Sequence, residues 1–149
     1  MIHGLDTSFL VAAEVAEHSL HRDAKLILQR LASTQDRIAI APQVLAEFIH
    51  IVTDPRRFAQ PLDMASAQLI AEQWWTAVEV VQVVPSDAAI QHFFSWLQQF
   101  KLGRKRLLDT MLAATYFQSS IQSLLTTNPT DFSIFSCFTC IVPTAAPQP

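Results

Sequence analysis

Apolar and polar positions along this chain alternate between the period of a strand and the period of a helix. "MIHGL" is a short apolar run and predicts a strand ending at Asp6. Residues 7–13 then begin a helix, with Thr7 or Ser8 available as its cap. In "HSLHRDAKLILQRLAS" (His18–Ser33), Leu20, Ala24, Ile27, Leu28 and Leu31 fall on one helical face. "RIAIA" predicts a second strand, and Pro42 opens a helix running through "QVLAEFIHIVT". "DPRRFAQP" (Asp54–Pro61) breaks the pattern. Asp63 caps a further helix through Trp75 and beyond, "VEVVQVV" (Val78–Val84) is a strand stopped by Pro85, and Ser86 or Asp87 caps a helix to about Phe100. After the turn "KLG", "RKRLLDTMLAATYFQSS" (Arg104–Ser120) is helical. "SLLTT" is a strand, "NPTDFSIF" a turn with a short helix, and "CFTCIV" a last strand.

Strands that alternate with helices predict an α/β domain around a mainly parallel sheet of four to five strands. Such strands are apolar on both faces, as "VEVVQVV" nearly is. Ligands of these sheets bind outside the carboxyl ends of the strands, where the strand order switches. Residues 1–142 read as one domain, and "PTAAPQP" (143–149) as a flexible, frayed tail.

Composition narrows the picture. The chain has 149 residues, half of them hydrophobic and 15% charged, which fits one compact domain and excludes a disordered chain. The net charge of -3 excludes a polycation that coats nucleic acid, so any nucleic-acid contact rests on a local patch. No apolar run reaches the ~20 residues of a membrane span. The start "MIHGLDTSFLVAAEV" has no basic region ahead of its apolar stretch and does not read as a secretory signal. With only two glycines, Gly4 and Gly103, there is no Gly-rich phosphate loop and no expected nucleotide cofactor. Cys137 and Cys140 form a lone CxxC without a second pair or flanking histidines, which reads as packing rather than as a zinc site. A cytoplasmic protein fits these features.

The acids are placed with more purpose. Asp6 follows the first strand, Glu47 lies early on the helix after the second strand, and Asp109 begins the helix after "KLG" among Leu107, Leu108, Met111 and Leu112. Asn128 and Asp131 follow "SLLTT". Each has a plain reading: Asp6, Asn128 and Asp131 as caps or turn residues, Glu47 as an exposed helix residue. Together they can converge on one rim of a parallel sheet. Clustered carboxylates repel and some take up protons unless a cation offsets them. Mg²⁺ suits oxygen ligands, keeps waters, and takes one or two carboxylates directly, and a site without His or Cys favours Mg²⁺ or Mn²⁺ over zinc.

At this point the residues resemble a family. "HGLDTSFLVA", "LAEFIHIVTDPRRF", "GRKRLLDTMLAATY" and "LLTTNPTDF" are similar, in order, to the four motifs of the PIN-domain ribonucleases, and more closely to the VapC-type toxins of bacterial toxin–antitoxin pairs. The resemblance covers nearly the whole chain. It implies a three-layer α/β/α sandwich and Mg²⁺-dependent endonucleolytic cleavage of RNA, with Mn²⁺ able to substitute. It implies a homodimer and a cognate antitoxin protein lying in the active-site groove. Carried onto this sequence, it makes Asp6, Glu47, Asp109 and Asp131 the catalytic acids, with Asp6 and Asp109 as metal ligands. Thr7, Thr127, Asn128, Arg104 and Arg106 become supporting or phosphate-binding residues. Thr126 is a further candidate for orienting an acid. Many relatives carry Asp where Asn128 stands, and this departure leaves open a catalytically silent PIN module that binds RNA or a protein.

Four positive charges in "KLGRKR" precede Asp109, and Arg56 and Arg57 form a second basic spot. Either these are solvated charges or they hold phosphates near the acids. A phosphatase of the haloacid-dehalogenase type also begins at a strand-end Asp, but needs a second Asp where Ser8 stands. The ten Phe and three Trp fit a core first and a dimer contact second.

Overall fold

The computed structural model describes residues 1–144. The expected tail therefore lies, from residue 145 on, outside the described residues. Five strands form one sheet: β1 (Ile2–Leu5), β2 (Arg37–Ile40), β3 (Val80–Gln82), β4 (Ser123–Leu125) and β5 (Thr139–Ile141). Their order is β3-β2-β1-β4-β5, and every neighbouring pair is parallel. Helices α1 (Thr7–Glu14), α2 (His21–Ser33), α3 (Pro42–Val52) and α4 (Met64–Thr76) pack as one group. Helices α5 (Asp87–Gln99), α6 (Leu107–Gln118) and the short α7 (Thr130–Ser133) form the other. The result is the three-layer α/β/α architecture, with the sheet at its upper expected strand count and wholly parallel.

β1 lies at the centre, and the chain leaves it towards β2 and β3 on one side and β4 and β5 on the other. The carboxyl ends of β1 and β4 therefore frame the switch point, the usual ligand crevice of such sheets. Leu5, Ile40, Leu124 and Leu125 are fully buried, as strands covered on both faces require.

α6 approaches the sheet closely because Ala113 and Ala114 present little bulk and are fully buried. Two polar residues in its buried face, Thr110 and Thr115, return their hydroxyls to the carbonyls of Arg106 and Met111, at 2.6 and 2.8 Å. Tyr116 is also fully buried, and its hydroxyl donates to the carbonyl oxygens of Leu5 (2.7 Å) and Ala39 (3.1 Å). α6 is thereby tied to the ends of both β1 and β2. Most aromatics serve the core: Phe9, Phe48 and Phe132 are buried, and Trp96 stacks on Phe135 at 4.4 Å between centroids. Phe94 is an exception, at 53% exposure.

The later strands are shorter than the sequence expectation, with β4 ending at Leu125 and β5 confined to Thr139–Ile141, and three further boundaries differ. The third strand begins at Val80, since Val78 and Glu79 form a turn. The second helix begins at His21 instead of His18, because side chains compete with the helical backbone there. The His18 ring accepts from the amide of Leu20 at 3.1 Å, and the His21 ring bonds the carbonyl of Ala12 at 2.9 Å. The helix expected from Arg104 opens as a 3₁₀ turn, Arg104–Arg106, before α6 proper. The expected caps of the later helices hold: Asp63 accepts from the amide of Ser66 at 2.7 Å, and Ser86 from that of Ala89 at 3.1 Å.

Candidate active site

Asp6 occupies the N-cap position of α1, displacing Thr7 and Ser8 from that role, yet its carboxylate makes no capping bond. It is spoken for elsewhere. The Ser8 hydroxyl donates to Asp6 Oδ2 at 2.5 Å, and the Thr126 hydroxyl donates to the same oxygen at 2.7 Å. The amide of Thr127 in turn donates to Ser8 Oγ at 3.0 Å, and that of Asn128 to Thr126 Oγ1 at 3.0 Å. The ends of β1 and β4 are thus laced together by hydroxyls that also fix one oxygen of the acid. A helix-capping aspartate needs none of this.

The other acids arrive from separate elements. Glu47 sits on the second turn of α3, Asp109 on the first turn of α6 and Asp131 on α7. All four carboxylates line one open cleft of about 510 Å³, together with Thr7, Ser8, Thr127 and Asn128. Gln43 of α3 donates to the carbonyl of Leu108 at 2.9 Å and holds α3 against the start of α6.

Burial, and with it mutual repulsion, is visible in the proton affinity of Glu47, Asp109 and Asp6. Burial pushes Glu47 up from its ordinary 4.5 to about 7, and the charges of Asp6 and Asp109 add to it. Burial likewise raises Asp109 to about 6, helped by Asp131 and Asp6 and opposed by Arg106. Asp6 is raised by burial, against the hydrogen bonds from Ser8 and Thr126 that favour its ionised form. Perturbed carboxyls meeting in one cleft are the electrostatic signature of a functional site.

The supporting residues divide. Thr7, Thr127 and Asn128 line the cleft, and the Thr7 hydroxyl, though buried, makes no hydrogen bond within the protein. Arg106 stands behind the acids: its guanidinium donates to the main-chain carbonyl of Asp131 and comes within 3.9 Å of Asp109. Arg104 is not brought in. The 3₁₀ turn leaves Arg104 and Lys105 exposed and outside the cleft lining. The cleft takes its cation from the other basic spot, through Arg57, beside Phe58, His18, Ile51 and Val11.

A PIN domain model matches residues 5–135. The chain belongs to the PIN-domain family. Among curated relatives, the VapC ribonuclease Mb2897 of Mycobacterium bovis is 32% identical over 82 residues, 55% of this chain and 51% of that protein. Ribonuclease VapC43 of Mycobacterium tuberculosis matches with the same 32% over 82 residues, 55% and 51%. The chain thus spans about half the length of the curated relatives it matches. Among solved structures, Mycobacterium tuberculosis VapC20, described as a Sarcin-Ricin loop cleaving toxin, superposes with a TM-score of 0.72 at 19% identity, covering 96% of this chain and 100% of that one. VapBC2 from Rickettsia felis, bound to a DNA fragment from its promoter, gives a TM-score of 0.67 at 20% identity, covering 95% and 98%. These likenesses show the PIN fold, and the family match agrees with the resemblance read from the four motifs.

Sequence reading passed over Ser8, which entered it as a rival cap, and His18, which it placed inside a helix. Ser8 had a signal: a hydroxyl two residues after a strand-end acid can bond that acid. His18, Ile51 and Val11 carried no local signal, because only the packing of α1 against α3, and the turn between α1 and α2, bring them to one cleft.

Proposed function

We propose that this PIN domain is an endoribonuclease that cuts RNA phosphodiester bonds with Mg²⁺, Mn²⁺ substituting, and is the toxin of a toxin–antitoxin pair. One observation carries the reading: four carboxylates from four separate elements meet in one cleft, with Asp6 held by two hydroxyls on a single oxygen. The names of its relatives, VapC ribonucleases, VapBC structures and a toxin–antitoxin complex from Klebsiella pneumoniae, support the same reading. They also support a protein antitoxin as partner, and we propose a homodimer as the assembly and the cytoplasm as the workplace. The unpaired thiols of Cys137 and Cys140 fit a reducing compartment.

The residues fit a divalent cation. Among the described residues no three His, Cys, Asp or Glu side chains converge closely enough to hold a metal ion by themselves, so the ion would rest on two carboxylates and its own waters. An open set of carboxylate oxygens suits Mg²⁺, which keeps several waters and takes one or two carboxylates. Asp6 and Asp109 would hold it directly, the first through the oxygen that no side-chain hydroxyl occupies. When bound, such an ion supplies a more acidic water and offsets charge on phosphate oxygens. Glu47, its carboxyl raised by burial, is placed to accept a proton, and Asp131 to orient water. The Thr7 and Thr127 hydroxyls and the Asn128 amide can donate to phosphate oxygens, and Arg106 steadies Asp109 and the backbone of Asp131. The test is cleavage of a pool of structured RNAs with Mg²⁺ or Mn²⁺ against EDTA. Cleavage only with metal supports the nuclease. Tight RNA or protein binding without cleavage in any metal would establish the silent module instead.

The same acids predict a pH dependence. A carboxyl whose folded pKa is raised binds protons more tightly folded than unfolded, so stability is lost as pH rises through the gap. For Glu47 that gap runs from 4.5 to about 7. Both Glu47 and Asp109 are partly open to solvent, and screening reduces the effect to on the order of 1–2 kcal/mol, or a Tm fall of roughly 3–6 °C between pH 4.5 and 7. Melts in EDTA should show this fall, and millimolar Mg²⁺ or Mn²⁺ should remove most of it at pH 7. Because His18 and His92, held below their ordinary value by burial, add stability as pH rises, the acids are read by difference, and a metal-free Tm profile identical in wild type and Glu47→Gln would contradict the assigned cluster.

A further inference from the structure

The segment "DPRRF" builds one wall of the cleft, and the structure shows how. Asp54 grips Arg56 through both carboxylate oxygens, at 3.1 and 3.3 Å, and accepts the Arg56 amide at 2.9 Å. Arg57 is held more loosely, at 3.7 Å, and its side chain is 56% exposed while lining the cleft. Phe58 packs against the core and lines the cleft as well. The loop is then clamped from across the molecule: the Glu17 carboxylate accepts the amides of Ala59 (3.3 Å) and Gln60 (3.2 Å). Glu17 directly precedes His18, so this clamp joins the two segments from which the His18 ring and Phe58 line the same cleft. The bond from the Leu20 amide fixes the His18 ring, and burial together with His21 keeps it towards the neutral form.

Resting on the nuclease reading, we infer that His18, Phe58 and Arg57 form a nucleotide subsite that takes an unpaired base of single-stranded RNA next to the scissile phosphate. Two flat rings and one available guanidinium match what a nucleotide offers, one base face and one phosphate per unit. Val11 and Ile51 supply apolar edges for the base. Base stacking is how proteins take hold of single-stranded RNA, and it also demands that the target be unpaired there. Glu17 is the positioning residue, acting through the loop it clamps.

The experiment uses an RNA that the wild type cuts, in its normal form and with the base deleted at each nucleotide flanking the cut. Cleavage (KM and kcat) and binding of the labelled RNA in EDTA are measured for wild type, Phe58→Leu, Arg57→Gln and Glu17→Gln. Arg57 is exposed and Phe58→Leu keeps apolar bulk, and melts verify that the variants are folded. Phe58→Leu should weaken RNA binding and raise KM about 5- to 100-fold with a smaller change in kcat. At one flanking position, base deletion should cost wild type the same factor and cost Phe58→Leu nothing. Glu17→Gln should reproduce part of the KM effect. Unchanged RNA parameters in both Phe58→Leu and Arg57→Gln would overturn the subsite, and weakened binding of a protein partner in the same variants would assign the wall to that partner. If no RNA is cut, a labelled single-stranded oligonucleotide serves for binding. Binding lost in Phe58→Leu then upholds the subsite while the nuclease reading fails, and no binding by wild type overturns both.

Discussion

Asp6→Asn is expected to reduce metal-dependent RNA cleavage by roughly 10²- to 10⁴-fold, the range for losing one group that acts in the transition state. The substitution preserves shape. An asparagine oxygen can still accept from Ser8 and Thr126, which now meet at Asp6 Oδ2 at 2.5 and 2.7 Å. What disappears is a charge that burial already disfavours and that adds to the burial-driven rise of Glu47 and Asp109. The variant should therefore melt at or above the wild-type temperature in EDTA at neutral pH, and it should gain less from added Mn²⁺. Loss of activity alongside kept or increased stability is what separates a site residue from a fold residue. Single-turnover kinetics and paired melts with and without Mn²⁺ are sufficient. Full activity would remove Asp6 from the site. Inactivity together with a large fall in Tm would make it a structural acid, whose task is joining the ends of β1 and β4.

The acid cluster was legible in the chain because each acid sits where an α/β sheet presents its rim. Asp6 ends an apolar run, Glu47 follows Pro42 by just over one helical turn, and Asp109 stands in an apolar stretch that would bury it unpartnered. The sheet was legible for the same reason: strands buried on both faces read as unbroken apolar runs. The basic residues were not. "KLGRKR" and "DPRRF" look equally suited to holding phosphate, and the choice between them rests on backbone geometry that no local pattern encodes. A 3₁₀ turn leaves Arg104 exposed, while the Glu17 clamp, spanning more than forty residues, delivers Arg57 to the cleft. His18 was misread because a helical spacing of apolar residues continues past the point where its ring takes the backbone amide of Leu20.

Gly4→Ala is expected to destabilise the fold by about 2–4 kcal/mol, at or above the usual range for overpacking a core. A Cβ at this position would stand 2.7 and 2.8 Å from Tyr116 Cδ2 and Cε2, and 2.8 Å from Leu124 Cδ2. Neither neighbour has room. Tyr116 and Leu124 are both fully buried, and the Tyr116 hydroxyl is held by the carbonyls of Leu5 and Ala39. Gly4 pairs with Ala39 on one side and with Leu124 on the other, so β1 cannot shift without breaking register on both. The glycine is needed for closeness of approach and not for a special backbone angle, since no glycine in the described residues has a positive φ. Because Asp6 lies two residues on, a strained β1 should also displace the acid, lowering kcat in the fraction that remains folded. Denaturant midpoints check the first effect and single-turnover rates the second. A double-mutant cycle locates the cause: if the ring is the obstacle, Gly4→Ala with Tyr116→Leu should cost less than the sum of the two single changes. Simple additivity would move the clash to Leu124, and a harmless Gly4→Ala would mean that α6 can retreat from the sheet, loosening the packing that brings Asp109 to the same cleft as Asp6.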